Sequence, residues 1–174
     1  AKSLHFTPMV GLIDLSAARM TEKLETAYSM GIREFQFSLP SWGQLNDMEV
    51  DTFFEVLLGS YPDCTFLNYN LGRTKRFLEP SELFMLAKRH SNFAAVKYTR
   101  GLPEDFNAIA ASGTPLQFFV TEQNIMELSR LPECGLLMSV GNTDLQRVKK
   151  FVQLCNAGRH DEAKHHLDVF WEIR

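Results

Sequence analysis

Residues 64–99, CTFLNYNLGRTKRFLEPSELFMLAKRHSNFAAVKYT, contain the pattern that decides the fold class. Apolar runs at 64–70 and 93–99 have the length and composition of strands that are buried on both faces. Between them, Leu83, Leu86 and Ala87 recur at the spacing of one helix face. A strand, a helix and a second strand in this order form the repeating unit of parallel α/β proteins.

The same alternation extends to both sides of this unit. It predicts six buried strands, each followed by a helix, at residues 4–13, 34–39, 64–70, 93–99, 115–121 and 136–140. Ser16 and Asp47 are predicted to cap the first two helices and Ser81 to open the third, and a short fifth helix is expected near residues 125–131. No linker rich in glycine, serine or proline interrupts the series, so we expect one domain over residues 1–174.

Six βα units are compatible with two architectures, an open doubly wound sheet and six-eighths of a (β/α)8 barrel. A doubly wound nucleotide-binding protein would carry a glycine-rich phosphate loop after its first strand. The sequence there, Val10-Gly11-Leu12-Ile13-Asp14, is not such a loop. Composition therefore leaves the architecture open, and the lack of a phosphate loop at this position disfavours nucleotide binding.

Charge and composition exclude several other classes. The 174 residues include 18 basic and 21 acidic side chains, with a net charge of −3 and no run of Lys or Arg, so neither nucleic acid nor an anionic membrane surface is an expected partner. No stretch reaches the roughly 18 consecutive apolar residues of a membrane span. The cysteines are three in number and widely spaced, which indicates a reducing, cytoplasmic compartment.

Lys97 is the residue whose chemistry stands out, because it lies in the apolar run Phe93-Ala94-Ala95-Val96-Lys97-Tyr98, near the end of a predicted strand. A lysine that is withdrawn from water is more readily the neutral amine that attacks a carbonyl group. The alternative is a lysine whose ammonium group reaches solvent or pairs with an acid.

Tyr69 and Arg73 follow at the end of the preceding predicted strand. If the two strands are neighbours, their axes lie roughly 4.8 Å apart, and Tyr69 and Lys97 can approach one another when both face the same side. A phenol beside an imine-forming amine could relay protons, whereas a core tyrosine would bond its hydroxyl to the backbone. Arg73 could bind a substrate carboxylate through two hydrogen bonds, or it could be an exposed loop charge.

Together, the motifs Tyr69-Asn70, Arg73-Thr74 and Val96-Lys97 resemble those of the dihydrodipicolinate synthase and N-acetylneuraminate lyase family. Three further stretches resemble the third, fourth and eighth strands of that family, namely Pro8-Met9-Val10-Gly11, Ser38-Leu39-Pro40-Ser41-Trp42 and Met138-Ser139-Val140-Gly141-Asn142. The resemblance implies an α/β fold of the (β/α)8 TIM barrel type. This chain would cover roughly the third to eighth βα units and be incomplete at both ends.

In that family a lysine forms a Schiff base with pyruvate or a related 2-oxo acid, and a tyrosine shuttles protons. The resemblance therefore implies a lyase or synthase in which Lys97 and Tyr69 are catalytic and in which the substrate is bound by Arg73, Thr74, Ser139 and Gly141. It also implies that no cofactor or metal is required, that the substrate is a small 2-oxo acid, and that the protein is a homo-oligomer, commonly a tetramer. The alternative of another class is a catalytically silent barrel that binds small acids or serves in assembly.

The chain departs from the family pattern at several places. The second strand, which holds the pyruvate carboxylate in the family, is absent from this chain, and the loop after Tyr69 is one residue shorter and lacks the usual proline. Ser41-Trp42 replaces an aromatic pair, and Thr121-Glu122 stands where a glycine-aspartate pair is common. We expect these differences to change the second substrate or to remove activity.

Overall fold

The structure, a computed structural model, describes residues 7–122, 124, 134–142 and 144–173. Its strands are β1 (Met9–Gly11), β2 (Glu34–Phe37), β3 (Thr65–Asn70), β4 (Phe93–Tyr98), β5 (Gln117–Val120) and β6 (Gly135–Leu136). Its helices are α1 (Ala17–Ser29), α2 (Asp47–Phe54), α3 (Pro80–Arg89), α4 (Pro103–Ala111), α5 (Leu145–Asn156) and α6 (His160–Ile173). None of these helices combines the length and the apolar character needed to cross a membrane.

The order of the strands decides between the two architectures that composition left open. β1 pairs with β2, β2 with β3, and β5 with β6, each in the parallel sense. The order in the sheet is β1-β2-β3-β4-β5-β6, the same as the order along the chain. A doubly wound sheet would reverse its strand order at a switch point, whereas a (β/α) barrel adds each strand beside the last. The topology is therefore that of a partial barrel.

Several predicted strands are longer than the observed ones. β1 covers only Met9–Gly11, although Leu12 still donates a backbone hydrogen bond to Gln36, and residues 4–6 lie outside the described residues. The predicted strand at 136–140 is wrong at both ends, because β6 is Gly135–Leu136 and the chain then turns into a 3₁₀ helix at Val140–Asn142. Apolar composition continues beyond the hydrogen-bonded ladder, so it overestimates strand length. The helix expected near 125–131 lies outside the described residues.

Two of the three predicted helix starts are also corrected. Ser16 does cap α1. However, α2 is capped by Asn46 instead of Asp47, because Asn46 and Glu49 exchange hydrogen bonds between side chain and backbone at 2.9 and 2.8 Å. Helix α3 begins at Pro80 instead of Ser81, since the fixed φ of proline and its missing N–H suit the first helical position.

The chain divides into two compact units, Ala1–Val96 and Lys97–Arg174. In the first, the core is a cluster of phenylalanines between the sheet and α2. Phe37 of β2 lies 5.3 Å from Phe54 of α2 and 6.2 Å from Phe66 of β3, measured between ring centroids. These contacts identify the face of β2 and β3 that α2 covers.

The second unit has its own core. Helices α5 and α6 pack together through Phe151 and Phe170, whose ring centroids are 5.9 Å apart, with Val148, Leu154, Cys155 and Ala163 buried around them. On β4, Tyr98 is fully buried and lies 6.3 Å from Phe106 of α4 and 6.2 Å from Phe118 of β5. Tyr98 therefore marks the helix-covered face of β4.

His90 is a buried titratable residue of the first core, and it makes the stability of the protein depend on pH. It is the C-cap residue of α3, is 8% exposed, and its ring lies 6.1 Å from the Phe54 ring. Burial lowers the pKa of His90 below its ordinary value of 6.5, so the unfolded chain takes up a proton that the folded chain resists.

We expect the free energy of unfolding to fall as the pH is lowered from about 7.5 to about 5.5, and His90→Asn to flatten part of this dependence. Urea unfolding at a series of pH values measures the slope. His166, whose pKa burial also lowers, accounts for a further part. The exposed His160→Asn is the control, and an equal flattening in that variant would contradict the prediction.

Candidate active site

Lys97 lies on β4 next to Tyr98 and is half-buried. Because successive side chains of a strand point to opposite faces, and Tyr98 contacts Phe106 of α4, Lys97 points to the face that α4 does not cover. It is the fifth residue of a six-residue strand and therefore lies near the carboxyl end. This is the position at which catalytic groups occur in (β/α) barrels.

Tyr69 also lies near the carboxyl end of its strand, β3. Phe66 of the same strand stacks on Phe35 at 5.7 Å, on the face covered by α2. Tyr69 is three residues further along and half-buried, so it points to the opposite face, one residue before the strand ends. Tyr69 thus faces away from α2, as Lys97 faces away from α4.

A cavity of about 370 Å³ opens where β1, β2 and β3 end, and we call it the β1–β3 cavity. Its polar lining consists of Asp14, Ser38, Ser41, Arg73 and Thr74, and its apolar lining of Ile13, Leu15 and Leu71. Two of the predicted substrate-binding residues, Arg73 and Thr74, therefore line one cavity. Arg73 is exposed, whereas Thr74 is buried.

The loop that carries Arg73 is closed by two side chains. The Asn70 amide donates to the Leu78 carbonyl at 2.8 Å, and the Leu78 N–H donates back to Asn70 Oδ1 at 3.0 Å. The Thr74 hydroxyl lies 2.9 Å from the Leu71 carbonyl and 2.8 Å from that of Arg76, so its proton is used inside the loop. Only acceptor lone pairs of Thr74 remain for a ligand.

Asp14 is the acidic group of the β1–β3 cavity. Its carboxylate accepts hydrogen bonds from Lys23 Nζ and from the Leu15 N–H, both at 2.7 Å. The bond from Lys23 is the main reason that the pKa of Asp14 lies below its ordinary value of 3.8. Asp14 is therefore ionised at neutral pH. Sequence reasoning did not single out this residue, because the nine-residue separation from Lys23 has no recognisable period.

In the second unit, Ser139 and Gly141 follow β6. The exposed Ser139 donates from Oγ to Oε1 of the buried Glu122 at 3.2 Å. Gly141 belongs to the 3₁₀ helix Val140–Asn142, and the space where its side chain would lie is open. Among the residues that the structure describes, no group of three His, Cys, Asp or Glu side chains could hold a metal ion.

Comparison with known proteins shows which protein family shares this fold. No protein-family model matches the sequence, and no curated protein is similar enough to count as a match. Solved structures do match. Dihydrodipicolinate synthase from Aquifex aeolicus superposes with a TM-score of 0.78 at 14% identity, covering 95% of this chain and 57% of that one.

Two further structures agree. A putative family protein from Coccidioides immitis has a TM-score of 0.77 at 19% identity, covering 95% of this chain and 54% of that one. YagE from E. coli K12, a family member in complex with pyruvate, has a TM-score of 0.74 at 17% identity, covering 95% and 57%. The chain has the fold of the dihydrodipicolinate synthase family.

The resemblance inferred from short motifs is thereby confirmed at the level of the fold. The chain spans little more than half the length of the family structures it matches, 54 to 57% in the three above. At these identities the likeness shows the synthase-family fold alone. The assignment of the strands to the third to eighth units stays a prediction, as do the roles of the site residues.

One ion pair in this synthase-family fold was not predicted from the sequence. Arg100, three residues after Lys97, binds Asp105 of α4 through Nε and Nη2, both at 2.8 Å, and its Nη2 lies 3.4 Å from the Tyr98 hydroxyl. Asp105 is 4% exposed. The neighbouring Gly101 approaches Asn124 so closely that a Cβ there would lie 2.3 Å from the Asn124 amide nitrogen. Both contacts hold the loop that follows the Lys97 strand.

Arg100→Lys is expected to lower the free energy of unfolding by about 1 to 2 kcal/mol, because a lysine cannot form two parallel bonds to the buried Asp105 carboxylate. Urea unfolding measures the loss. Arg19→Lys is the matched control, since the Arg19–Glu22 pair is exposed and is expected to change stability by less than about 0.5 kcal/mol. Equal losses in the two variants would contradict this account.

Proposed function

We propose that this chain is part of an enzyme that forms a Schiff base between Lys97 and pyruvate or a related 2-oxo acid. The reaction is an aldol-type addition or cleavage, or the dehydration of a sugar acid. The observation that supports this most directly is the position of Lys97, near the carboxyl end of β4 and on the face away from α4, in a synthase-family fold. The proposal includes a homo-oligomer in the cytoplasm.

In the proposed reaction, the neutral amine of Lys97 attacks the keto carbon and the adduct loses one water to form the imine. Once protonated, the imine accepts the electron pair of a breaking carbon–carbon bond, or the pair that a carbon–hydrogen bond on the adjacent carbon leaves behind when its proton departs. No cofactor is needed for this step, because the imine nitrogen is the electron sink. Tyr69 relays the protons, and the guanidinium group of Arg73 binds a substrate carboxylate.

A catalytically silent barrel that binds small acids or serves in assembly is the second candidate. One observation favours it: the hydroxyl of Ser139, a predicted substrate contact, is already bonded to the buried Glu122 carboxylate. A protein of this kind would bind a 2-oxo acid without forming a covalent bond to it. The two candidates therefore differ in one measurable product.

Reduction with borohydride in the presence of pyruvate distinguishes them. We expect the intact chain to gain the mass of pyruvate, minus one water and plus two hydrogens, and peptide mapping to place the adduct on Lys97. Lactate, which has no keto group, is the control ligand, and the exposed Lys88 is the control lysine. A folded chain without an adduct on Lys97, or with equal labelling of Lys88, would overturn the proposal.

A further inference from the structure

The charges of the β1–β3 cavity distinguish between classes of small acid. Asp14 contributes a carboxylate, which only accepts hydrogen bonds when ionised, and Arg73 contributes a guanidinium, which only donates. Ser38 and Ser41 add hydroxyl groups that can do either. With about 370 Å³, the cavity lies near the lower end of the 300 to 1,000 Å³ that is usual for small-molecule sites.

Asp14 is held in place before any ligand binds. Lys23 Nζ bridges Asp14 Oδ2 at 2.7 Å and the Ile13 carbonyl at 3.2 Å, while the Leu15 N–H binds Oδ1 at 2.7 Å. Each carboxylate oxygen retains a further acceptor site. A ligand hydroxyl can donate to such a site, whereas a second ligand carboxylate at the same place would be repelled.

We propose that the β1–β3 cavity binds a monocarboxylic acid that carries hydroxyl groups, and that Asp14 selects hydroxyls over a second carboxylate. Arg73 binds the carboxylate of this acid and Asp14 accepts from its hydroxyl groups. The inference deepens the proposed function, on which it rests, by naming the groups, one carboxylate and several hydroxyls, that accompany the aldehyde carbon of the compound that is joined to or released from the 2-oxo acid.

Three probes of equal carbon number test the inference by isothermal titration. Gluconate has one carboxylate and several hydroxyls, hexanoate lacks the hydroxyls, and glucarate has a second carboxylate. We expect gluconate to bind at least about tenfold more tightly than either of the others, because one good polar contact or one like-charge repulsion is worth that factor. Equal affinities, or no binding of gluconate by the folded chain, would overturn the inference.

The variant Asp14→Asn distinguishes a role of Asp14 in ligand selection from a general loss of binding caused by damage to the fold. It keeps the size of the side chain and removes the charge, so gluconate is expected to bind about tenfold more weakly and glucarate several-fold more tightly. Damage to the fold would weaken both. Asp51→Asn is the control, since Asp51 pairs with Arg89 and does not line the cavity, and it is expected to change neither affinity.

The result can be distinguished from a failure of the proposed function. Gluconate has no keto group and cannot form an imine with Lys97, so its binding does not depend on the proposed chemistry. A pyruvate adduct on Lys97 together with no preference for gluconate would overturn the Asp14 inference and leave the proposed function standing. A preference for gluconate without any adduct would overturn the proposed Schiff-base enzyme and indicate a selective binding protein.

Discussion

Replacing Lys97 with methionine is expected to lower kcat by at least about 10³-fold and to abolish the borohydride adduct with pyruvate. Methionine has a similar length and no nucleophile, and it is tolerated at a half-buried strand position, so the chain should remain folded. Steady-state turnover of the 2-oxo acid and intact mass after reduction measure the two losses. Circular dichroism checks the fold.

Tyr69→Phe is the companion variant. It removes one hydroxyl from the neighbouring strand, and we expect it to keep the adduct on Lys97 while slowing turnover by about 10²-fold, the usual size of a proton-transfer contribution. A Lys97→Met variant that retains turnover would exclude the Schiff-base mechanism. Loss of the adduct in Tyr69→Phe would show that the tyrosine acts before imine formation and not as a later proton relay.

The second large effect concerns Asn70. Asn70→Ala is expected to lower the free energy of unfolding by about 2 to 5 kcal/mol, because both the N–H and the carbonyl of the buried Leu78 lose their hydrogen-bond partner. The measurement is urea unfolding of the whole chain. The loop that carries Arg73 loses its closure at the same time, so gluconate binding should weaken in parallel.

Asn68 provides a matched control on the same strand and the same face. It is 1% exposed, and neither its Nδ2 nor its Oδ1 has a hydrogen-bond partner in the described part of the chain. Asn68→Ala therefore removes an unsatisfied buried amide, and we expect stability to change by less than about 1 kcal/mol or to rise. Similar losses in both variants would mean that packing, not hydrogen bonding, determines the effect.

Much of the fold could be predicted from local sequence patterns. The apolar runs around Phe66 and Val96 and the helical spacing of Leu83 and Leu86 are consequences of burial on a strand and on one helix face. The ends of these elements were less predictable. Asn46 caps α2 in place of Asp47, and Pro80 begins α3 in place of Ser81, because helix starts depend on reciprocal capping bonds and on φ as well as on residue type.

The site was predictable only in part. Lys97, Tyr69 and Arg73 were identified from their positions at strand ends and from the family resemblance. Asp14 was missed, since its partner Lys23 lies on another element and the spacing of the two residues in the sequence does not indicate that they pair. Arg100 and Asp105 were missed for the same reason, although both belong to the loop and helix that follow Lys97.

By itself, the sequence determined the alternation of strands and helices, the composition of the core and the motifs that indicate the family, because each depends on neighbours within a few residues. Only the tertiary structure decided the order of the strands, the face to which Lys97 points and the closure of the loop by Asn70 and Leu78. These depend on contacts between separate elements. The local patterns are the same in a doubly wound sheet and in a barrel, so strand order had to come from pairing.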